Sequence, residues 1–217
     1  MTVHMFPGAG CDSNIFLVTG TQPILVDTGS GLRSSRIIKE IEEVTAHISK
    51  IILTHCHFDH AGGAAELSKH FNAPVFIHKL DAAAVRNGLV KETAADMFGC
   101  KMPATEVMEL QGSETIDTGE YLFDVLYTPG HTAGGISLFD RTNQILFSGD
   151  TVFAEGVGRW DFPTGDLSCL KRSVHRLAEL DASYLYPGHG PCVKGSANSK
   201  IANALMYVED SNADNSL

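Results

Sequence analysis

The stretch Ile51–Gly63 reads IILTHCHFDHAGG: a short apolar run is followed at once by three histidines and an aspartate within six residues. Imidazole and carboxylate groups are common ligands of transition metals, and residues at strand ends are well placed to hold them. One histidine in such a position is often a packed core residue, but four ligand-type side chains together are harder to explain in that way. The stretch therefore predicts a strand that ends at a metal site, with the candidate ligands His55, His57, Asp59 and His60.

Three further ligand-type residues occur in the same local context. Each directly follows a short apolar segment and lies in a glycine-containing turn: His131 in LYTPGHTAGG, Asp150 in ILFSGDTVF and His189 in YLYPGHGP. Seven ligands are too many for one tetrahedral site, whereas two sites that share a carboxylate would use all of them. A closed structural zinc site usually takes four ligands, often cysteines, and is the less favoured alternative. We expect two divalent cations, zinc before iron or manganese.

The remaining histidines and the cysteines show no such context. Cys56 lies inside the cluster, but alternate residues of an extended segment point in opposite directions, so we expect its side chain to pack away from His55 and His57. The five cysteines are scattered and form no CxxC pair, which is typical of reduced thiols in a cytoplasmic protein. We expect structural or solvent-exposed roles for His4, His47, His70, His78 and His175.

Composition limits the class of protein. With 217 residues, 43% of them hydrophobic, the chain is long enough for one substantial core, and we expect a single domain over residues 1–208. A formal charge of −10 argues against a nucleic-acid partner. No apolar run is long enough to cross a membrane, and the N-terminus lacks the pattern of a signal peptide. The polar residues 209–217 are predicted to form a frayed C-terminal tail.

The order of predicted elements indicates an α/β protein. Short apolar segments separated by turn residues predict strands at 2–6, 14–19, 24–27, 50–53, 73–78, 115–117, 121–127, 135–139, 144–147 and 184–186. Helical periodicity or preference predicts helices at 34–44, 61–71, 167–180 and 196–208, and a helical insertion or flap at 79–103. Two β-rich halves with helices outside suggest a four-layer αββα sandwich, although the periodicity would equally allow a single mixed sheet.

Four motifs in this order, THCHFDHAGG, TPGHTAGG, FSGDT and YPGHGP, resemble the metallo-β-lactamase superfamily. The resemblance extends over about residues 14–191, and the Asp27-Thr28-Gly29 turn matches the family's first loop. It implies the αββα sandwich known as the metallo-β-lactamase fold. It also implies that His55, His57 and His131 hold the first metal. The second metal would be held by Asp59, His60 and His189, with Asp150 as the bridge.

Within the superfamily, the segment GVGRWDFPTGD at residues 156–166 resembles the short forms of glyoxalase II, the hydroxyacylglutathione hydrolases. The resemblance implies hydrolysis of a small-molecule thioester or ester by a hydroxide that bridges the two metals, with Asp59 and Asp150 as catalytic residues. The same segment also resembles the persulfide dioxygenases, which use one iron. In that alternative the ligands would be His57, His131 and Asp150, or the three histidines of the first site. Lactonase activity is a further alternative, because it needs the same activated hydroxide.

Arg159 lies in the segment that carries this second resemblance. Its planar guanidinium is suited to bind a substrate carboxylate; alternatively, Arg159 holds its own loop in place through Asp161 or Asp166. The longer glyoxalase II enzymes carry a C-terminal helical domain that supplies much of the glutathione contact, whereas about 28 residues follow His189 here. The identity of the thiol carrier therefore stays open. The sequence also leaves the oligomeric state open.

Overall fold

The structure, a computed structural model, describes residues 2–210 and contains two six-stranded sheets and a small hairpin. The strands in chain order are β1 Val3–Phe6, β2 Ile15–Val18, β3 Ile24–Val26, β4 Lys50–Ile52, β5 Val75–His78, β6 Met108–Leu110, β7 Thr115–Asp117, β8 Leu122–Tyr127, β9 Ile136–Asp140, β10 Ile145–Gly149, β11 Val152–Phe153, β12 Gly156–Val157, β13 Tyr184–Pro187 and β14 Val193–Lys194. The first sheet has the order β1-β2-β3-β4-β5-β6, the second has the order β14-β13-β10-β9-β8-β7, and β11 pairs with β12.

Helices cover the outer faces of both sheets. They are α1 Ser34–Glu42, α2 Phe58–Ala61, α3 Ala64–Phe71, α4 Lys79–Arg86, α5 Leu167–Ala178 and α6 Ala197–Asp210, with a 3₁₀ turn at Ala95–Phe98. Helix α5 shows why these segments are helical: Leu170, Val174 and Leu177 recur on one face and are buried. Its first turn is capped by Asp166, whose carboxylate accepts a hydrogen bond of 2.6 Å from the Cys169 N–H.

Three apolar layers separate four layers of secondary structure. The first lies between the first sheet and helices α1, α3 and α4, and the third lies between the second sheet and helices α5 and α6. Between the sheets, the ring of Phe147 lies 5.3 Å from that of Phe16 and 5.6 Å from that of Phe123. Successive residues of the strands point to opposite layers, as Ile51 and Ile52 do. This confirms the αββα sandwich and excludes a single mixed sheet.

Strand direction explains why the ligand-type residues meet at one edge. Strands β3 and β4 are parallel, and β10 is parallel to β13. Strand β9 is antiparallel to both β8 and β10, so β8 runs in the same direction as β10 and β13. The carboxyl ends of these strands, and the loops that follow them, therefore lie at the same edge of their sheets.

The predicted helix at 61–71 is interrupted. A short helix, α2, ends at Ala61, and α3 begins at Ala64. Between them, Gly62 and Gly63 lie against backbone carbonyls; an added Cβ would come within 2.5 Å of the Ser30 oxygen and 2.4 Å of the Thr28 oxygen. The close approach of two backbones therefore requires glycine at both positions.

The other differences from the predicted elements concern short or peripheral segments. Strands β6, β11, β12 and β14 were not predicted, because two or three residues cannot show a periodicity. The segment 79–103 contains α4 and the 3₁₀ turn, and the rest of it has no regular helix. Helix α6 continues to Asp210, two residues beyond its predicted end, and the predicted tail from residue 211 onward lies outside the described residues. Within residues 2–210, no helix has the length and apolar character needed to span a membrane.

Candidate metal centre

The seven predicted ligands converge at this edge of the sandwich. Their ligand atoms form three overlapping groups, and within each group all atoms lie within 4.8 Å of one another. Six of the seven residues are buried, and the side chain of His189 is 31% exposed. The groups are His55, His57 and His131; Asp59, His60 and His189; and His55, His60 and Asp150.

Asp150 lies between the first two groups. Its Oδ2 atom is 3.4 Å from His131 Nε2, and its Oδ1 atom is 3.3 Å from His60 Nε2. Oδ2 also lies 3.5 Å from His189 Nε2, whose nearer partner is Asp59 Oδ2 at 3.0 Å. The Asp150 carboxylate thus faces both groups, which is the position that a shared ligand needs.

Asp27 orients two of the histidines, His55 through the Thr54 hydroxyl and His60 directly. The Thr54 hydroxyl donates its one hydrogen to Asp27 Oδ2 at 2.8 Å, so Thr54 Oγ1 accepts from His55 Nδ1 at 3.0 Å. His60 Nδ1 lies 2.8 Å from the same Asp27 oxygen. In both rings Nδ1 is turned away from the cluster and Nε2 faces it, the orientation that metal-ligating histidines commonly have.

His131 is oriented in the same way by a backbone carbonyl. Its Nδ1 atom donates to the Arg159 oxygen at 2.6 Å, so the lone pair of the ring is on Nε2. That lone pair faces His57 Nδ1 at 2.8 Å. The ring of Phe162 packs edge-on against His57, with 4.9 Å between centroids, and limits the rotation of this imidazole.

The electrostatics of the cluster suit a cation. Burial lowers the pKa of His57 to about 3, and burial and the nearby histidines also hold the pKa of His55 well below its usual value. Both rings are therefore neutral, the form in which histidine binds a metal. Burial alone would lower the pKa of His60, but the carboxylates of Asp150 and Asp27 outweigh it and raise the pKa. The carboxylates therefore attract positive charge to the point where a cation would lie.

Buried polar atoms provide a test of whether a metal fits. Within the described part of the chain, His55 Nε2, His57 Nε2 and Asp150 Oδ1 are buried and have no hydrogen-bond partner. An unpaired buried polar group is costly, and two of these three atoms, His55 Nε2 and Asp150 Oδ1, face the convergence point. A donor set of imidazole nitrogens and carboxylate oxygens suits zinc, iron or manganese. The residues present therefore fit divalent metal binding.

The residues outside the cluster behave largely as expected. Cys56 is buried, its Sγ lies 3.4 Å from the Glu92 carbonyl, and it belongs to none of the candidate metal groups. His78 is buried and stacks on Tyr127, with 4.4 Å between ring centroids. His70 is exposed and paired with Glu42. The described cysteines are free.

Sequence reasoning missed a buried aspartate that joins two of the ligand loops. Asp81, at the start of α4, accepts hydrogen bonds from the Cys56 N–H at 2.9 Å and the Gly134 N–H at 2.7 Å. It also accepts one from the Thr132 hydroxyl at 2.8 Å. The first of these donors lies between His55 and His57, and the others follow His131. Asp81 therefore fixes the separation of the two loops.

Replacing Asp81 with alanine is expected to lower the free energy of unfolding by about 2–5 kcal/mol, because two buried N–H groups lose their acceptor. Metal affinity is expected to fall by about tenfold or more. Asp81→Asn should be intermediate, since one acceptor oxygen is retained. Thermal unfolding and metal titration measure both effects, and the exposed Asp96→Ala is the control. Unchanged metal affinity in Asp81→Ala would contradict the proposed positioning role.

A cavity of about 370 Å³ opens onto the cluster. Apolar side chains form most of its wall, and Arg159 lies at its rim. The Arg159 side chain is 60% exposed and forms a two-point ion pair with Asp161, with distances of 2.9 and 2.7 Å. Its guanidinium also lies over the Phe162 ring, 4.5 Å from the centroid. Arg159 is thus close enough to reach a substrate, but its Nε and Nη2 atoms already donate to Asp161 in its own loop.

Comparisons with known proteins agree with this geometry. A family model of the metallo-beta-lactamase superfamily matches residues 8–189. A probable metallo-hydrolase of Methanocaldococcus jannaschii is 38% identical over 189 residues, which cover 84% of this chain and 90% of that protein. Hydroxyacylglutathione hydrolase GloC of Haemophilus influenzae is 29% identical over 201 residues, which cover 88% of this chain and 91% of that protein.

A solved structure shows the same likeness in three dimensions. A protein crystallised in a di-iron-bound form has a TM-score of 0.78 and 30% sequence identity, and the match covers 93% of this chain and 98% of that one. The likeness therefore extends over nearly the full length of both proteins.

Proposed function

The chain belongs to the metallo-β-lactamase superfamily and is a metal-dependent hydrolase, and from this premise we propose that it is a thioesterase similar to glyoxalase II with two divalent metals. The glyoxalase II part of the proposal is supported by the similarity to hydroxyacylglutathione hydrolase GloC. A neighbour that binds two irons supports a binuclear centre, with zinc, iron and manganese as the metals to test. We also propose a cytoplasmic location, in keeping with the free cysteines.

The observation that carries the proposal is the completeness of both ligand groups. We assign His55, His57 and His131 to the first metal. A mononuclear iron site would leave the second group without a metal, and this favours the hydrolase only modestly, because a dioxygenase can keep the same residues. In this chain Asp59 and His189 lie 3.0 Å apart with their ligand atoms facing each other. We assign Asp59, His60 and His189 to the second metal and Asp150 to both.

Thioester hydrolysis needs an activated water molecule and a polarised carbonyl. When bound, two divalent metals would lower the pKa of a water molecule and polarise the carbonyl oxygen of the substrate. Residues of the chain position the attacking water. Asp59, whose pKa is lowered by His60 and the His189 hydrogen bond despite burial, is ionised and accepts a hydrogen bond from the attacking water. The thiolate leaves without needing a strong acid.

The assay that tests the proposal compares three reactions. Metal-loaded protein is given S-lactoylglutathione, a panel of other thioesters and a panel of lactones, and iron-loaded protein is given glutathione persulfide while oxygen is followed. The proposal predicts thioester hydrolysis that exceeds lactone hydrolysis, with no oxygen uptake. Rapid oxygen consumption without thioester cleavage would instead establish the dioxygenase alternative.

Arg159 is our proposed ligand for a substrate carboxylate. To act in this way it must release Asp161, which is feasible because exposed ion pairs are worth at most about 1 kcal/mol. Arg159→Ala is then expected to raise KM for acidic thioesters by about tenfold more than for neutral ones. The control is Arg141→Ala, which removes another exposed, paired arginine. Equal effects on both substrates, together with a lower Tm, would show that Arg159 only holds its loop in place.

A further inference from the structure

The cavity at the metal centre continues into a second pocket. The two share Cys11 and Phe98, and the second, of about 230 Å³, extends to Leu32 and Arg33. Together they form one path that leads outward from the ligand cluster. We name its apolar residues outside the ligand cluster the outer groove: Met97 lines the first cavity, Leu32 lines the second pocket, and Cys11 and Phe98 line both. The second pocket also has polar residues in its wall, Asp12, Ser30 and Arg33.

Apolar side chains, some of them exposed, form much of the wall of this path. Near the metal ligands, Phe153, Val157 and Phe162 line the cavity. On the opposite side, the 3₁₀ turn presents Met97, which is 62% exposed. Large apolar side chains left in contact with water beside a catalytic cavity commonly mark a binding surface for an apolar ligand.

The backbone around this turn is held in an unusual conformation. Ala94 has a φ of 52° and Gly99 a φ of 62°, so a left-handed residue flanks the turn on each side. A left-handed alanine costs on the order of 1 kcal/mol. Phe98 packs against the core, because its ring lies 5.3 Å from that of the buried Phe58. The turn places both Met97 and Phe98 in the wall of the cavity.

The charged groups along the path are already paired. Among the described residues, the arginines that line the two pockets are Arg159 and Arg33, and no lysine lines either. Arg159 is bound to Asp161, and Arg33 is bound to Asp12 at 3.2 Å. A ligand with carboxylates would compete with these aspartates for the arginines, whereas an apolar group gains contacts without disturbing any ion pair.

From these observations we propose that the outer groove binds an uncharged, apolar portion of the thioester, in its acyl or thiol part. This inference rests on the proposed thioesterase function, and it adds the class of substrate. Met97 and Phe98 are the residues that determine the specificity for this apolar portion.

Binding of uncleavable thioethers to the metal-loaded protein tests the inference without turnover. The probes are S-alkyl N-acetylcysteamines with chains from ethyl to octyl, and S-hexylglutathione as the charged counterpart; Kd is measured by calorimetry. We expect Kd to fall by up to about fourfold for each methylene that the groove buries. S-hexylglutathione should lose affinity to the same extent as the neutral hexyl probe in variants of the groove, because both carry the same hexyl chain.

Variants of the 3₁₀ turn test whether the outer groove is the binding site of the alkyl chain. Met97→Ala is expected to weaken binding of the octyl probe by about tenfold, Met97→Glu by more, and both should leave the ethyl probe nearly unchanged. Phe98→Ala should act in the same direction. The matched control is Met206→Ala, which removes a methionine of equal exposure, 63%, from helix α6.

The outcomes separate this inference from the proposed function. Affinities that do not depend on chain length would overturn the inference even if thioesters are hydrolysed. Chain-length dependence that is lost in Met97→Glu supports the groove even if the reaction catalysed is not thioester hydrolysis.

Discussion

Asp150→Ala is expected to lose both metals and to reduce thioester turnover by on the order of 10³-fold or more. The reason is its position: Asp150 approaches the first group through His131 and the second through His60 and His189. Without it, each site loses an anionic ligand, and the stabilisation of transition-state charge that a metal provides is worth several kcal/mol. Metal content per chain and kcat/KM measure the two effects.

A buried aspartate elsewhere in the second sheet provides the control. Asp140 is 2% exposed and accepts hydrogen bonds from the Leu122 and Asn143 N–H groups, at 2.9 and 2.7 Å. Asp140→Ala also removes a buried carboxylate that accepts hydrogen bonds. It should lower the free energy of unfolding but keep both metals. If Asp150→Ala retained two metals per chain, the assignment of Asp150 as the shared ligand would be wrong.

His189→Ala is expected to leave one metal bound and to lower turnover by on the order of 10²-fold. We assign His189 to the second group only, since its Nε2 lies 3.0 Å from Asp59 Oδ2 and 3.3 Å from His60 Nε2. The first group, in contrast, keeps all three of its histidines. The metal that remains should therefore bind with nearly unchanged affinity.

His70→Ala is the matched control for this substitution, because its side chain is similarly exposed, 40% against 31%, and lies on helix α3. It should keep two metals and full activity. Two metals in His189→Ala with an unchanged rate would refute the assignment. Loss of both metals would show that the two sites bind cooperatively through His189.

The local context of the ligands made the cluster predictable from sequence. His55, His131, Asp150 and His189 each follow a short apolar strand, and parallel strands bring their carboxyl ends to one edge of a sheet. That rule needs no knowledge of the contacts between the strands. The family resemblance then supplied the division of the ligands into two groups.

The residues that orient these ligands were harder to predict. Asp27 has the same context as Asp150, a carboxylate after an apolar strand, but it was identified only as part of the turn that matches the family's first loop. Its φ of 60°, however, and its contacts with Thr54 and His60 depend on the fold. Asp81 gave no comparable signal, because its partners Cys56 and Gly134 lie 25 and 53 residues away.

The walls of the cavity also depend on the tertiary fold. Composition predicts a helical insertion or flap at 79–103, but nothing in its sequence shows which of its side chains point to the metal centre. In the fold, the turn between the left-handed residues Ala94 and Gly99 places Met97 in the wall of the cavity. The same holds for Arg159, whose pairing with Asp161 was one of two alternatives until the loop conformation was known.

The most direct test of the binuclear thioesterase is a metal titration of metal-free protein, with the rate of S-lactoylglutathione and neutral thioester hydrolysis measured after each addition of zinc, iron or manganese. The account predicts a rate that rises until two equivalents per chain are bound and then stays constant. A maximum at one equivalent, or no hydrolysis with any of the three metals, would contradict it.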